Sequence, residues 1–118
     1  MHTNELPVIQ KTYDLIKWYI PVINRLPNSH KFGLGDKIVD VLYSLLENLI
    51  LAKYDQNKID ILEHSNAKID ILRHQTRLLL DFKLIEDNRY QYASRLIYDI
   101  GTDIGAWLKH QKRQPLSV

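Results

Sequence analysis

The chain has 118 residues and a net charge of +2, and 45% of its residues are hydrophobic against 25% charged. This length and balance fit one globular domain over 1–118 and exclude a disordered chain. The chain has no cysteine, so disulfides and thiolate metal sites are excluded. It has no signal-peptide pattern and no apolar run of about 18 residues that would cross a membrane, so we expect a cytoplasmic protein.

Apolar residues with helical spacing predict four helices, the first over roughly 6–25. Its stripe alternates between spacings of three and four residues, which places the members on one face: Leu6, Ile9, Tyr13, Ile16, Ile20 and Ile23. Pro21 removes a backbone donor, so a kink or an early end is expected there. Trp18, next to Tyr19, falls on another face, where its large ring indicates either an interface or second packing layer or the simple covering of a bundle edge.

The second helix is predicted over roughly 34–54, after a loop that begins at Leu26 and ends at Gly33. Gly33 and Gly35 flank Leu34 and indicate a tight turn, with Asp36 near the helix start. The stripe of this helix is broad: Ile38, Val41, Leu42, Leu45, Leu46, Leu49 and Ala52.

The third helix is predicted over roughly 57–82 and the fourth over roughly 89–112. Their core stripes are Ile69, Leu72, Thr76 and Leu79 in the third and Tyr92, Ala93, Leu96, Ile97, Ile100, Ile104, Trp107 and Leu108 in the fourth. Because the connections are short, the pattern predicts an all-α fold, an antiparallel up-down-up-down four-helix bundle.

Gly101 and Gly105 lie four residues apart inside the fourth predicted helix, where each costs about 1 kcal/mol relative to alanine. Two glycines at this spacing clear one face of side chains. The pair therefore favours the close approach of another helix over a flexible hinge.

The sequence shows no recognisable catalytic or metal-binding constellation. His64 and His74 are ten residues apart, so a helix turns them to different faces and separates them by about 15 Å. No Glu-x-x-His pair supports di-iron chemistry in the bundle. The serines lack a base at a recognisable spacing, although a triad assembled in space leaves no such pattern. We therefore expect a protein that is not an enzyme and that uses no metal and no cofactor.

Positive charge gathers at the end of the fourth helix. Lys109, Lys112 and Arg113 follow the last acid, Asp103. These cations either oppose the negative end of the helix dipole or bind an anionic partner.

Three arginines form a second group of candidates. Arg73 and Arg77 share a helix face, as in a phosphate-binding strip, but Asp70 and Asp81 are within helical reach and are expected to pair with them. Arg95 likewise has an acid four residues on. Pairing on a solvated face is the simpler interpretation for one subunit, whereas a ring of subunits would repeat each basic patch and strengthen its field.

Short segments spread over nearly the whole chain follow the order of a known family. They are the stretch from Leu6 to Pro21, then Arg25-Leu26-Pro27, His30-Lys31-Phe32, Leu34-Gly35-Asp36, Leu42-Tyr43, Leu45-Leu46-Glu47, Ala52-Lys53-Tyr54, Ile69-Asp70-Ile71-Leu72-Arg73, Arg77-Leu78, Ile100-Gly101 and Gly105-Ala106-Trp107-Leu108-Lys109. In these segments the chain resembles the Avd family, the accessory variability determinants of diversity-generating retroelements. The four-helix proteins encoded in ribosomal RNA intervening sequences are the nearest alternative, with a structural or unknown role.

The Avd resemblance implies a barrel-like homopentamer that binds a partner reverse transcriptase and nucleic acid, either template RNA or cDNA. It implies a role in mutagenic reverse transcription and retrohoming, in which the partner enzyme carries out the chemistry. The basic residues inside the matching segments become candidate binding residues by this resemblance: Arg25, Lys31, Arg73, Arg77 and Lys109. Charge alone adds Arg95, Lys112 and Arg113.

Overall fold

The computed structural model describes residues 5–114, which contain four long helices and no strand. The elements in chain order are α1 (Pro7–Asn24), a short α2 (Asn28–His30), a π-helical turn (Lys31–Gly35), α3 (Asp36–Tyr54), α4 (Lys58–Asp81) and α5 (Asp87–Arg113). Both α1 and α4 pack against α3 and α5, so consecutive long helices are neighbours. They run in opposite directions, because Glu5 before α1 pairs with Lys53 near the end of α3, a connection of three residues joins α3 to α4, and Glu63 near the start of α4 pairs with Lys112 near the end of α5. The predicted all-α, up-down-up-down bundle is therefore confirmed. None of the described helices combines the length and the apolar character that crossing a membrane requires.

The core consists of aliphatic side chains from all four long helices. Its fully buried members include Leu15, Ile38, Leu42, Leu45, Leu49, Leu62, Ile69, Leu72, Leu79, Ile97 and Ile100. Removing one such side chain from water contributes about 1.5–3 kcal/mol, so this cluster dominates the stability of the bundle. The stripe predicted for α4 is buried throughout, whereas in α5 the stripe is buried at its centre and Tyr92 at its start is exposed.

Helix α1 buries part of the predicted stripe, namely Ile9, Ile16 and Ile23, together with residues outside it. Its buried residues are Val8, Ile9, Thr12, Leu15, Ile16, Tyr19, Val22 and Ile23. Tyr13, which the pattern predicts in the stripe, is 47% exposed, and Tyr19, which the pattern leaves out of the stripe, is fully buried. Both predictions are wrong because α1 lies between two helices, and the face that it buries is broader than a stripe and centred elsewhere on the helix.

The hydroxyl groups in this core are hydrogen-bonded. Tyr19 Oη and Thr76 Oγ1 lie 2.7 Å apart and join α1 to α4 across the bundle. The hydroxyls of Thr12 and Ser65 donate to carbonyls one turn earlier in their own helices. Burial raises the pKa of Tyr19 to about 12, although the hydrogen bond with Thr76 acts in the opposite direction.

Trp18 covers the edge between α1 and α5. Its ring centroid lies 5.5 Å from that of Tyr92 on α5, and Lys11 Nζ lies 2.9 Å from Asp103 Oδ2 on the same pair of helices. Of the two interpretations that Trp18 allowed, this geometry matches the covering of a bundle edge.

The predictions around the first connection are corrected by the structure. Helix α1 continues through Pro21 to Asn24, so the early end is wrong. The predicted loop up to Gly33 is also wrong, since the chain is helical from Asn28 onward. No glycine of the described residues has a positive φ, so these glycines form no tight turn. Instead, a Cβ at Gly35 would lie 3.0 Å from Ile23 Cγ2, so glycine is needed there for close packing against α1.

The connection between α4 and α5 begins with a Schellman motif. Lys83 has a φ of 60°, its N–H donates to the carbonyl of Leu80, and the N–H of Leu84 donates to the carbonyl of Leu79. The motif ends α4 and directs the chain into α5 within a few residues. It thereby fixes the register in which the two helices face each other.

Candidate nucleic-acid interface

Five of the eight candidate cations lie along or beside the face shared by α4 and α5: Arg73, Arg77, Arg95, Lys109 and Lys112. The face begins where Arg77 meets Tyr90 and ends where Lys112 Nζ lies 3.2 Å from Glu63 Oε2. Lys109 is one turn before Lys112 on the same side of α5, and Arg95 borders the face on its outer side. Between Tyr90 and Lys112, α5 rises about 33 Å.

Gly101 determines how Arg73 sits on this face. A Cβ at Gly101 would lie 3.1 Å from Arg73 Nη2 and 3.2 Å from Ile69 Cγ2, so α4 approaches α5 closely at this point. The close-approach prediction is therefore confirmed for Gly101. It is wrong for Gly105, because nothing lies within 4 Å of a Cβ built there.

Carboxylates neutralise part of the face. Arg77 Nε lies 3.0 Å from Asp81 Oδ1, and this hydrogen bond, with a smaller effect of Tyr90, raises the pKa of Arg77. Arg73 Nη1 lies 3.7 Å from Asp70 Oδ1, which is an ion pair but too long for a good hydrogen bond. The predicted pairing of these two arginines is confirmed, and it is tight only for Arg77.

Arg95 is different, because it makes no ion pair with Asp99 within the described chain. The expected pairing is therefore wrong. Asp99 acts instead on Lys11 of α1, whose pKa is raised mainly by its hydrogen bond to Asp103 and to a smaller extent by the charge of Asp99. Helical spacing places Arg95 and Asp99 within reach of each other, but two exposed side chains within reach need not form an ion pair. Arg95 consequently remains an exposed cation.

A cavity of about 240 Å³ opens on the same face. Arg73 lines it together with Tyr90, Ser94, Ile97 and Tyr98 of α5. The side chain of Tyr98 is 64% exposed, so an aromatic ring stands beside the guanidinium group at the surface. Sequence reasoning missed these α5 residues. The signal was the spacing of Tyr90, Ser94 and Tyr98 at intervals of four, which places two tyrosines on one flank of the helix.

The remaining three candidates lie elsewhere. Arg25 caps the end of α1 and lines a second cavity, of about 190 Å³, with Arg89 at the start of α5. Lys31 Nζ lies 5.6 Å from the centroid of the Phe32 ring in the π-helical turn. Arg113 ends α5 at the opposite end of the bundle. The eight cations therefore do not form one site, and the α4–α5 face is where most of them meet.

His64 and His74 are not part of a cluster of described residues that could hold a metal ion. Nδ1 of His64 and Nδ1 of His74 each lie within hydrogen-bonding distance of a backbone carbonyl one turn earlier in α4, at 2.8 and 2.9 Å. Among residues 5–114, no group of three His, Asp or Glu side chains is close enough to hold a metal ion.

Comparison with known protein families shows which family the chain belongs to. The model of the bAvd-like family matches residues 6–111, which include α1 to α4 and nearly all of α5. No curated protein matches the chain. The chain belongs to the bAvd-like family, in agreement with the resemblance found in the sequence, and the family is one of accessory, non-catalytic proteins of the retroelement type.

Proposed function

We propose that this bAvd-like protein is an accessory protein of a diversity-generating retroelement that binds the reverse transcriptase and the template RNA or cDNA. The family match over residues 6–111 carries the proposal. The reverse transcriptase makes the mutagenised cDNA, and the accessory protein supports that synthesis and the retrohoming that follows. Its own contribution is binding, without a catalytic group.

We assign nucleic-acid binding to the α4–α5 face. Cations spaced along about 33 Å of one helix pair suit a phosphate backbone, and each phosphate contact releases a counterion. Because Arg73, Arg77 and Lys112 each have a carboxylate nearby, the field of one subunit is modest. Repetition of the face in an assembly would raise the affinity through multivalency.

We assign self-association to the side of the bundle formed by α3, α4 and the π-helical turn. These elements carry several exposed apolar side chains, namely Phe32, Ile50, Leu51, Ile71, Leu78 and Phe82. Scattered apolar residues are ordinary on a surface, but a group on adjacent elements is typical of an interface. The barrel-like homopentamer would cover these side chains. It would leave Arg73 and Arg77, which face α5, accessible to nucleic acid.

The test is co-purification with the reverse transcriptase encoded beside the gene, combined with RNA binding at low and at physiological salt. We expect the enzyme to be retained and the RNA affinity to fall as salt rises. A protein that retains neither partner would overturn the proposal. A gene that lies within a ribosomal RNA locus, without a neighbouring reverse transcriptase gene, would favour the intervening-sequence alternative.

Charge reversal locates the site within that test. Arg73→Glu with Arg77→Glu should keep the helical content, because both side chains are exposed, and should weaken RNA or enzyme binding. The matched control is Lys17→Glu with Lys37→Glu, which makes the same change in charge at exposed positions on α1 and α3. Equal effects of the two double variants would show that only net charge matters. Unchanged binding of both partners would remove Arg73 and Arg77 from the site.

A further inference from the structure

The cavity beside Tyr98 has the chemistry of a nucleotide subsite. We infer that it holds one nucleotide of single-stranded nucleic acid, with the base stacked on Tyr98 and the adjoining phosphate bound by Arg73. The inference rests on the proposed nucleic-acid function and deepens it, because it states which strand form the α4–α5 face prefers and which side chains read it.

Arg73 is held at the cavity with most of its donors available. The guanidinium carries five N–H groups, and its ionic partner Asp70 lies 3.7 Å away. Its side chain is 48% exposed. The missing side chain at Gly101 lets Nη2 lie close to the backbone of α5, which places the guanidinium group beside the cavity. A planar fork in this position suits two oxygens of one phosphate.

Tyr98 supplies the second half of the subsite. An aromatic ring that is 64% exposed on a helix presents a face on which a base can stack. Ser94, one turn earlier and lining the same cavity, adds a hydroxyl that can donate to or accept from a base edge or a ribose. A volume of about 240 Å³ is smaller than the roughly 300–1,000 Å³ of small-molecule pockets. The cavity therefore suits one unit of a polymer better than a free ligand.

The geometry favours a single strand over a duplex. A base can stack on a protein ring only if it leaves the stack of its own helix, and single strands offer such bases. The carboxylates on the face also favour a single strand, since they reduce the electrostatic attraction for the dense charge of a duplex. Recognition here depends more on contact with a base than on field strength.

The experiment is fluorescence anisotropy at physiological salt with a labelled single-stranded RNA and with a duplex of the same sequence. Tyr98→Ala should weaken binding of the single strand by roughly 5-fold to 100-fold and leave the duplex nearly unchanged. Tyr98→Phe, which keeps the ring, should bind as the wild type does. Arg73→Lys, which keeps the charge and loses the fork, should weaken the single strand. The matched control is Tyr13→Ala, an exposed tyrosine on α1, away from both the α4–α5 face and the side assigned to self-association.

The outcomes separate this inference from the function on which it rests. If the wild type binds RNA and Tyr98→Ala binds it equally well, the subsite is overturned and the proposed function stands. If the wild type binds no RNA, the subsite and the nucleic-acid binding assigned to the α4–α5 face are both overturned, whereas retention of the reverse transcriptase would still support the other half of the proposed function. If Tyr98→Ala loses the reverse transcriptase while RNA binding is unchanged, the cavity is a protein interface and the inference is again overturned. Far-UV circular dichroism of each variant checks that the fold is retained, as expected for exposed side chains.

Discussion

Replacing each glycine of α5 by alanine separates helix propensity from helix packing. Gly101 and Gly105 both lie well inside α5 (Asp87–Arg113), so alanine at either position gains about 1 kcal/mol of helix propensity. Nothing lies within 4 Å of a Cβ at Gly105. We therefore expect Gly105→Ala to raise the free energy of unfolding by about 1 kcal/mol.

At Gly101 the same methyl group meets two neighbours. Arg73 Nη2, at 3.1 Å, is the end of a flexible side chain and moves away at little cost. Ile69 Cγ2, at 3.2 Å, belongs to a fully buried side chain that moves only if the core shifts. Overpacking a core costs about 1–3 kcal/mol, and the cost of adding one methyl group at this distance is expected at the lower end of that range. Gly101→Ala should therefore be about 1–2 kcal/mol less stable than Gly105→Ala.

The assay is urea unfolding followed by far-UV circular dichroism. All variants are compared at one protein concentration, because self-association makes stability depend on concentration. Equal stabilisation by the two alanines would refute the close approach of α4 and α5 at Gly101. A loss of stability in Gly105→Ala would show that another surface covers Gly105.

Three further predictions concern the core. Tyr19→Phe should lower the free energy of unfolding by about 1–3 kcal/mol because Thr76 loses its hydrogen-bonding partner. In a double-mutant cycle, the variant with both Tyr19→Phe and Thr76→Val should lose less stability than the two single variants lose in sum. The pKa of Tyr19 is raised from 10.0 to about 12 in the folded protein, so as the pH rises the unfolded chain loses the Tyr19 proton before the folded chain does. The free energy of unfolding should therefore fall between about pH 10 and pH 12, by up to about 1.4 kcal/mol per pH unit. The pH profile of Tyr19→Phe should lack this component, and identical profiles would contradict it. Gly35→Ala should destabilise the protein by about 1–3 kcal/mol because the added Cβ meets Ile23. Gly33→Ala should not destabilise it, because nothing lies within 4 Å of a Cβ at that position. Thermal unfolding of the two variants tests the difference.

The helices were predictable because apolar periodicity depends only on which residues face a core. Helices α4 (Lys58–Asp81) and α5 (Asp87–Arg113) begin and end within two residues of the prediction. The prediction for the segment before α3 was wrong because glycine occurs both in tight turns and where two helices pack closely. Gly35 is a close approach to Ile23, and that contact exists only once α1 has packed.

The candidate site was predictable in its residue types but not in its contacts. Arg73 was identified from charge and resemblance, but its contact with Gly101 depends on the register between α4 and α5. That register follows from a helix end at Lys83, a residue without the usual glycine signal for a positive φ. Tyr98 can be identified as a candidate binding residue only from the structure, in which the register of α4 and α5 brings it beside Arg73.

Molar mass by light scattering, alone and after addition of the reverse transcriptase with its template RNA, tests the central claim most directly. We predict five copies of a 14.0 kDa chain, or about 70 kDa, and a heavier complex once enzyme and RNA are present. A monomer whose mass is unchanged by both additions would contradict it.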